Sequence, residues 1–244
     1  MQDNYNYFSG IYDELMESVP YDEWAGFIHN IIVKNNRKAL HILDAGCGTG
    51  NIIYMLKNNY NFEGFDISEK MLNVCKSKNP EVSVWIDDIA QFNTQRTYDV
   101  ILCIFDTVNY LDSYTGFASF INRCYQNLNK NGIVIFDIIT KEKITSLFKN
   151  NIFTLENRNI YCIWYNKFLT DSIFVNTLDF FVHEKNGLYR KVKEIHKRRL
   201  FDKQKLIETA LESGFKKVET YDGFTQKKDK KKSERIVFVL KKGA

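Results

Sequence analysis

Between residues 39 and 140 the chain alternates short apolar runs with longer segments whose apolar residues recur every three or four positions. The short runs are Ala39 to Asp44, Asn61 to Asp66, Val82 to Asp87, Tyr98 to Phe105 and Gly132 to Ile139. Each has strand length and is rich in β-branched or aromatic residues. Between them, Asn51 to Asn58, Ser68 to Lys78 and Ser113 to Leu128 show helical spacing. Ser68 is a good N-cap, and Met71, Leu72 and Cys75 fall on one face of the helix it opens. Strands alternating with helices predict parallel β-α-β units with right-handed crossovers, hence a doubly wound α/β sheet. Its ligand is expected beyond the C-terminal ends of the strands.

The flanks follow other periods. Residues 1–37 predict a helical cap, with Tyr12 to Met16 and Tyr21 to Val33 as its periodic segments. In 151–200, Ile160 to Tyr165, Phe174 to His183 and Leu188 to Phe201 read as antiparallel strands, with Asn186-Gly187 as a hairpin turn. They predict an inserted antiparallel sheet over the active site. Asp202 then caps a helix ending near Gly214, followed by strands around Lys217 to Tyr221 and Glu234 to Leu240. With no internal repeat or low-complexity linker, 1–244 is expected to form one domain, its Rossmann-like core made of 38–150 and 201–244.

A hydrophobic content of 44% suits a sizeable core. No run of about 18 apolar residues occurs, and the start lacks the basic and apolar regions of a signal peptide. A cytoplasmic protein with no membrane partner is therefore expected. Five cysteines without a C-x-x-C pair favour reduced thiols and no metal site. Cys103 reads as a small buried hydrophobe, whereas Cys47 lies inside a glycine loop. The net charge of +4 hides an asymmetry, because residues 190–244 hold 18 Lys and Arg against 8 Asp and Glu. Such a basic tail suits nucleic acid, or simply a solvated surface.

The glycine loop is Asp44-Ala-Gly46-Cys47-Gly48-Thr-Gly50, placed between a strand and a helix. Its glycines permit positive φ and close approach of backbone to a ligand. Dinucleotide enzymes use G-x-G-x-x-G around a pyrophosphate, whereas the spacing here is G-x-G-x-G with an acid two residues upstream. A carboxylate there repels a pyrophosphate and attracts an ammonium or sulfonium, which favours a cationic ligand. Asp66 ends the second strand, where a carboxylate can accept from both ribose hydroxyls; this suits NAD as well as S-adenosylmethionine. Asp88 could accept from an adenine amine while the Ile89 amide donates to the ring.

These residues, with Gly64-Phe-Asp-Ile-Ser-Glu-Lys-Met71, Tyr98-Asp-Val-Ile and Gly132-Ile-Val-Ile-Phe-Asp137, resemble the successive motifs of class I S-adenosylmethionine-dependent methyltransferases. Tyr12-Asp-Glu-Leu-Met16 and Pro20-Tyr-Asp-Glu-Trp24, with the inserted sheet, are similar to the small bacterial small-molecule type, related to sugar and glycine N-methyltransferases. The resemblance implies a seven-stranded Rossmann-like sheet with a reversed last strand and S-adenosylmethionine as cofactor. It implies that Asp44, Gly46 and Gly48 line the methionine part and Asp66 the ribose, with Cys47 of the same loop also against the cofactor. Ile67, Met71, Asp88 and Ile89 would line the adenine pocket, Tyr12 and Trp24 would close over the cofactor, and Phe105, after the fourth strand, would also touch it. Tyr12 and Trp24 also suit plain core positions on amphipathic helices.

Methyl transfer from a sulfonium is an in-line displacement, so the protein chiefly orients the nucleophile and excludes water. A base helps only when the acceptor carries a proton that must leave. The resemblance assigns Asp106, Asn109 and Tyr110 to substrate positioning, against capping and packing roles for the same residues. Some sugar N-methyltransferases have a histidine where Tyr110 stands, and a tyrosine of pKa near ~10 is a poor base at neutral pH. His183 is a second candidate base, ahead of His29, His41 and His196, and Trp164, Tyr161, Tyr165 and Phe181 could wall the acceptor pocket. A small-molecule acceptor, N- or O-methylated by a monomer or homodimer, is thus expected. An RNA acceptor, supported by the Lys227 to Lys232 run, and a catalytically idle cofactor-binding protein are the alternatives. The fourth strand lacks the Asn/Asp-Pro-Pro-aromatic ending that resembles base-amine methyltransferases.

Overall fold

The computed structural model describes residues 8–148, 151–157 and 159–243, so the first seven residues of the expected cap lie outside the described part. The cap contains α1 (Tyr12–Leu15) and α2 (Tyr21–Asn35). Ala25, Phe27, Ile28, Ile31 and Ile32 recur at helical spacing on α2 and form its buried stripe.

Next come β1 (His41–Ala45), α3 (Asn51–Leu56), β2 (Asn61–Asp66), α4 (Glu69–Lys78), β3 (Ser83–Ile86), β4 (Tyr98–Cys103), α5 (Tyr114–Asn127) and β5 (Leu128–Ile139). The five strands pair in parallel. Both faces are covered, so successive residues of β4 go to opposite cores. Val100 and Leu102 pack with α2 and α3, and Ile101 and Cys103 pack with Phe117 and Phe120 of α5. Ser68 caps α4 by accepting from Met71 N at 3.4 Å, and Ser113 caps α5 by accepting from Gly116 N at 3.0 Å.

After the short α6 (Lys141–Lys143), β6 (Ile152–Asn157), β7 (Ile160–Thr170), β8 (Ile173–His183) and β9 (Tyr189–Arg199) form an antiparallel sheet in that order. Asn186-Gly187 turns the last hairpin, with Gly187 at φ 76°. Three of these strands are anticipated by their alternation. The edge strand β6 is not, because Ile152-Phe-Thr-Leu-Glu-Asn157 is short and its apolar residues do not keep a strict alternation.

The chain returns through α7 (Lys203–Glu212), capped by Asp202, to β10 (Lys217–Asp222) and β11 (Arg235–Lys241). Strand β11 runs antiparallel to both β5 and β10, giving a seven-stranded sheet of order β10-β11-β5-β4-β1-β2-β3 with its last strand reversed. The order changes direction at β1 and β4, which opens a crevice at their C-terminal ends. Among the described residues, no helix is long and apolar enough to cross a membrane.

Candidate active site

The crevice begins with the loop after β1. Gly46, Gly48 and Gly50 take φ of 79°, 54° and 75°, a left-handed run that side chains resist. A Cβ at Gly46 would stand 2.6 Å from Thr107 Cγ2, whereas one at Gly48 would meet nothing within 4 Å. Gly46 is thus fixed by packing, and Gly48 offers bare backbone to open space. The loop is tied to β2: Gly46 N and Cys47 N donate to Phe65 O at 2.8 and 2.9 Å. Asp66 accepts from Gly48 N and Ser68 N, each at 2.9 Å, so two amides hold its carboxylate in place.

A cavity of about 420 Å³ opens above this loop. Asp44, Gly46, Cys47 and Gly48 form one wall; Asp66, Ile67, Met71, Asp88 and Ile89 form another. Phe105 and Tyr110 follow from the β4 side, Tyr12 and Tyr21 from the cap, and Lys197 from β9. Asp44 is only 3% exposed, and burial, with Cys75 and Asp66 adding, pushes its carboxyl up to about 8. A carboxylate so placed is stabilised by a cation in the cavity and destabilised by an anion.

The cap is fastened to the loop through Asp13 of α1. Its carboxylate accepts from Thr49 Oγ1 at 2.7 Å, Asn51 Nδ2 at 3.0 Å and Lys78 Nζ at 2.5 Å. This holds Asp13 below the ordinary carboxylate range against the opposing effect of burial. It also sets Tyr12 beside Phe105, with ring centroids 6.3 Å apart, while Tyr21 stacks on Phe105 at 6.2 Å. Burial raises the Tyr12 hydroxyl well above its usual range, with the bonded Tyr21 adding to it. Trp24, the other cap aromatic expected over the cofactor, is not among the cavity-lining residues. It stacks on Phe224 at 4.1 Å, behind Phe105, with the Arg235 guanidinium 5.2 Å from its ring.

The corner after β4 is unusual. Phe105 and Asp106 both take left-handed backbone, at φ 68° and 51°, a conformation that costs of order 1–3 kcal/mol per non-glycine residue. Buried charges hold it there. Asp106 N donates to Asp137 Oδ2 at 3.0 Å, and Arg235 bridges Asp137 and Asp106, reaching the latter at 2.9 Å. Arg198 of β9 adds a 3.2 Å ion pair to Asp106 Oδ2. This knot binds β4, β5, β11 and the inserted sheet at one point.

The expected substrate-positioning set therefore divides. Asp106 is 2% exposed and serves the knot instead of lining the cavity. Asn109, fully buried, accepts from Ile139 N at 3.0 Å and donates to Arg199 O at 2.7 Å, clamping β5 to β9. Tyr110 alone of the three lines the cavity. Its hydroxyl lies 3.1 Å from His196 Nδ1 and accepts from Arg198 at 3.1 Å.

His183 is exposed at the end of β8, its ring 5.2 Å from Tyr189, and does not line the cavity. Trp164, Tyr161, Tyr165 and Phe181 do not line it either. Trp164 packs on Phe153 within the inserted sheet. The run Lys227 to Lys232 lies between β10 and β11, largely exposed, and none of it reaches the cavity. Tyr21 and Lys197 line the cavity without having been singled out in the sequence, and His196, named there only behind His183, lies beside Tyr110. Tyr21 shares a helical stripe with Trp24, and spacing cannot say which member faces a ligand. Nothing in the sequence near His196 marks it, because its partner stands 86 residues away.

Relatives agree with this geometry. A methyltransferase domain family matches residues 42–132. A protein of Geobacillus sp. (strain WCH70) assigned to the methyltransferases is 31% identical over 246 residues, spanning 98% of this chain and 99% of its own. The crystal structure of a S-adenosylmethionine-dependent methyltransferase from Clostridium acetobutylicum superposes with a TM-score of 0.87 at 28% identity, over 98% of this chain and 99% of that one. A sugar-nucleotide N,N-dimethyltransferase of Streptomyces fradiae, acting on dTDP-3-amino-3,6-dideoxy-alpha-D-glucopyranose by its name, is 23% identical over 118 residues, 48% of this chain and 46% of its own. With a seven-stranded sheet of reversed last strand and a glycine loop facing a buried acid, the chain belongs to the class I S-adenosylmethionine-dependent methyltransferases.

Proposed function

We propose that this enzyme methylates a nitrogen or oxygen atom of a small molecule. The observation that carries the reading is the cavity itself, which brings the glycine loop with Asp44 and Asp66 and the Tyr110 side chain onto one lining. S-adenosylmethionine supplies a methyl group on a cationic sulfur. Asp44 accepts its ammonium end beside Gly46, Cys47 and Gly48. The amide-anchored Asp66 accepts from the ribose, and Asp88, Ile89, Ile67 and Met71 enclose the adenine. Tyr12, Tyr21 and Phe105 cover the cofactor and exclude water, while Tyr110 orients the acceptor for in-line attack. The name of the Streptomyces fradiae relative supports an amine on a sugar-like acceptor.

Calorimetry with S-adenosylmethionine tests the shared premise, and no binding at millimolar cofactor sinks it. Release of S-adenosylhomocysteine from metabolite pools then identifies the acceptor. An RNA acceptor held through several phosphates would bind with steep salt dependence; tRNA and rRNA are expected to be ignored at all salt concentrations. Tyr110→Phe is expected to lose turnover with near-normal cofactor affinity, and retained activity would reduce Tyr110 to packing.

A further inference from the structure

The inward face of β9 carries three ionisable residues in alternation, Glu194, His196 and Arg198, and the first two are almost fully buried. Such groups are poor packing material, since a buried polar group costs free energy unless it is partnered. Their placement has a direction. His196 Nε2 faces Glu194 Oε2 at 3.5 Å, and its Nδ1 faces the Tyr110 hydroxyl at 3.1 Å, with the two rings edge to face at 6.0 Å. Only Tyr110 of this row lines the cavity.

We propose that Tyr110, His196 and Glu194 form a proton relay that removes the proton an amine or hydroxyl acceptor gives up on methylation. The proposal rests on the small-molecule reading above. The acceptor's N–H or O–H bond breaks and its electron pair stays on the acceptor atom. The proton passes to the Tyr110 oxygen, whose own proton moves to Nδ1 of His196. Glu194 faces the imidazolium so formed, and after the product leaves the proton returns through the Tyr110 oxygen to solvent in the cavity. His196 and Glu194 act through Tyr110 and do not touch the acceptor themselves.

Two further contacts set the direction. A carboxylate at Glu194 favours the tautomer with hydrogen on Nε2, which leaves Nδ1 as a lone pair aimed at the phenol. Arg198 donates to the same phenol oxygen at 3.1 Å, its guanidinium 5.2 Å from the ring, so negative charge developing there meets a cation. Burial lowers the His196 proton affinity, with Glu194 opposing it and Arg198 adding to it, which favours the neutral ring. Arg198 is in turn engaged by Asp106, and the β8 residue opposite His196 is the neutral Asn176, bonded to Asn166 at 2.6 Å.

The test uses the full chain labelled with ¹⁵N-histidine, with His196→Gln to assign the resonance. In the wild type at neutral pH, His196 is expected as the neutral Nε2–H tautomer; a proton found on Nδ1 overturns the relay. Glu194→Gln is expected to lower the proton affinity of His196 about tenfold, one pH unit, while S-adenosylhomocysteine affinity stays within about twofold. An unchanged titration midpoint in that variant, if folded, also overturns it. Should the wild type fail to bind S-adenosylhomocysteine, the proposed function fails, and the tautomer result is unaffected.

Discussion

Asp44 stands in the cavity wall with Cys75 and Asp66 as its acidic neighbours and keeps its proton up to about pH 8. The unfolded chain ionises the same group near pH ~4. The folded state thus binds the extra proton between those values, and this group's contribution to stability falls as pH rises through that window. A cationic ligand reverses the preference. Cofactor binding is expected to release up to about one proton at neutral pH and to strengthen as pH rises toward 8. Calorimetry in buffers of different ionisation enthalpy measures that release, and Asp44→Asn should abolish it. Asp66→Ala leaves Gly48 N and Ser68 N unmet and, on the proposed ribose role, is expected to weaken cofactor binding by about 1–3 kcal/mol. Unchanged affinity in a folded variant refutes the ribose role. Both acids are legible in the sequence because each ends a strand, where the fold delivers side chains to the crevice. Trp24 and Asn109, which lie off the cavity wall, show the opposite case: which member of a helical stripe, or of a turn, reaches a cavity depends on packing partners far along the chain.

At the level of elements, the cap is held by Asp13 to the starts of α3 and the end of α4. Tyr12 lies on the same short helix, α1, whose four residues cannot order themselves alone. Asp13→Ala is expected to free α1, speeding hydrogen exchange of residues 12–16 and weakening cofactor binding by roughly 0.5–1.5 kcal/mol. If exchange there stays slow, Asp13 is not the fastening. The β/α core was readable from its two hydrophobic periods, and so were three of the four inserted strands. The inward face of β9 was not, since Tyr189-Arg-Lys-Val-Lys-Glu-Ile-His-Lys-Arg-Arg199 is polar on both faces and gives no sign of which one is buried.

For the whole molecule, the inserted sheet and the reversed strand β11 meet the parallel sheet at Asp106 and Asp137. Replacing Arg235 by Met leaves two buried carboxylates without their shared guanidinium, and should destabilise the fold by about 3–5 kcal/mol in urea denaturation. A loss under 1 kcal/mol would show that the knot is dispensable. No local pattern announces this knot, because its members are far apart in sequence and each alone reads as an ordinary strand-end charge. That separation has a consequence in time. Asp106 and Arg235 are 129 residues apart, so during synthesis the left-handed corner emerges roughly 6–26 s before the guanidinium that holds it. Through that interval the nascent chain has its glycine loop and the Phe105-Asp106 corner but not the guanidinium that holds the corner, which is fixed only when β11 joins the sheet.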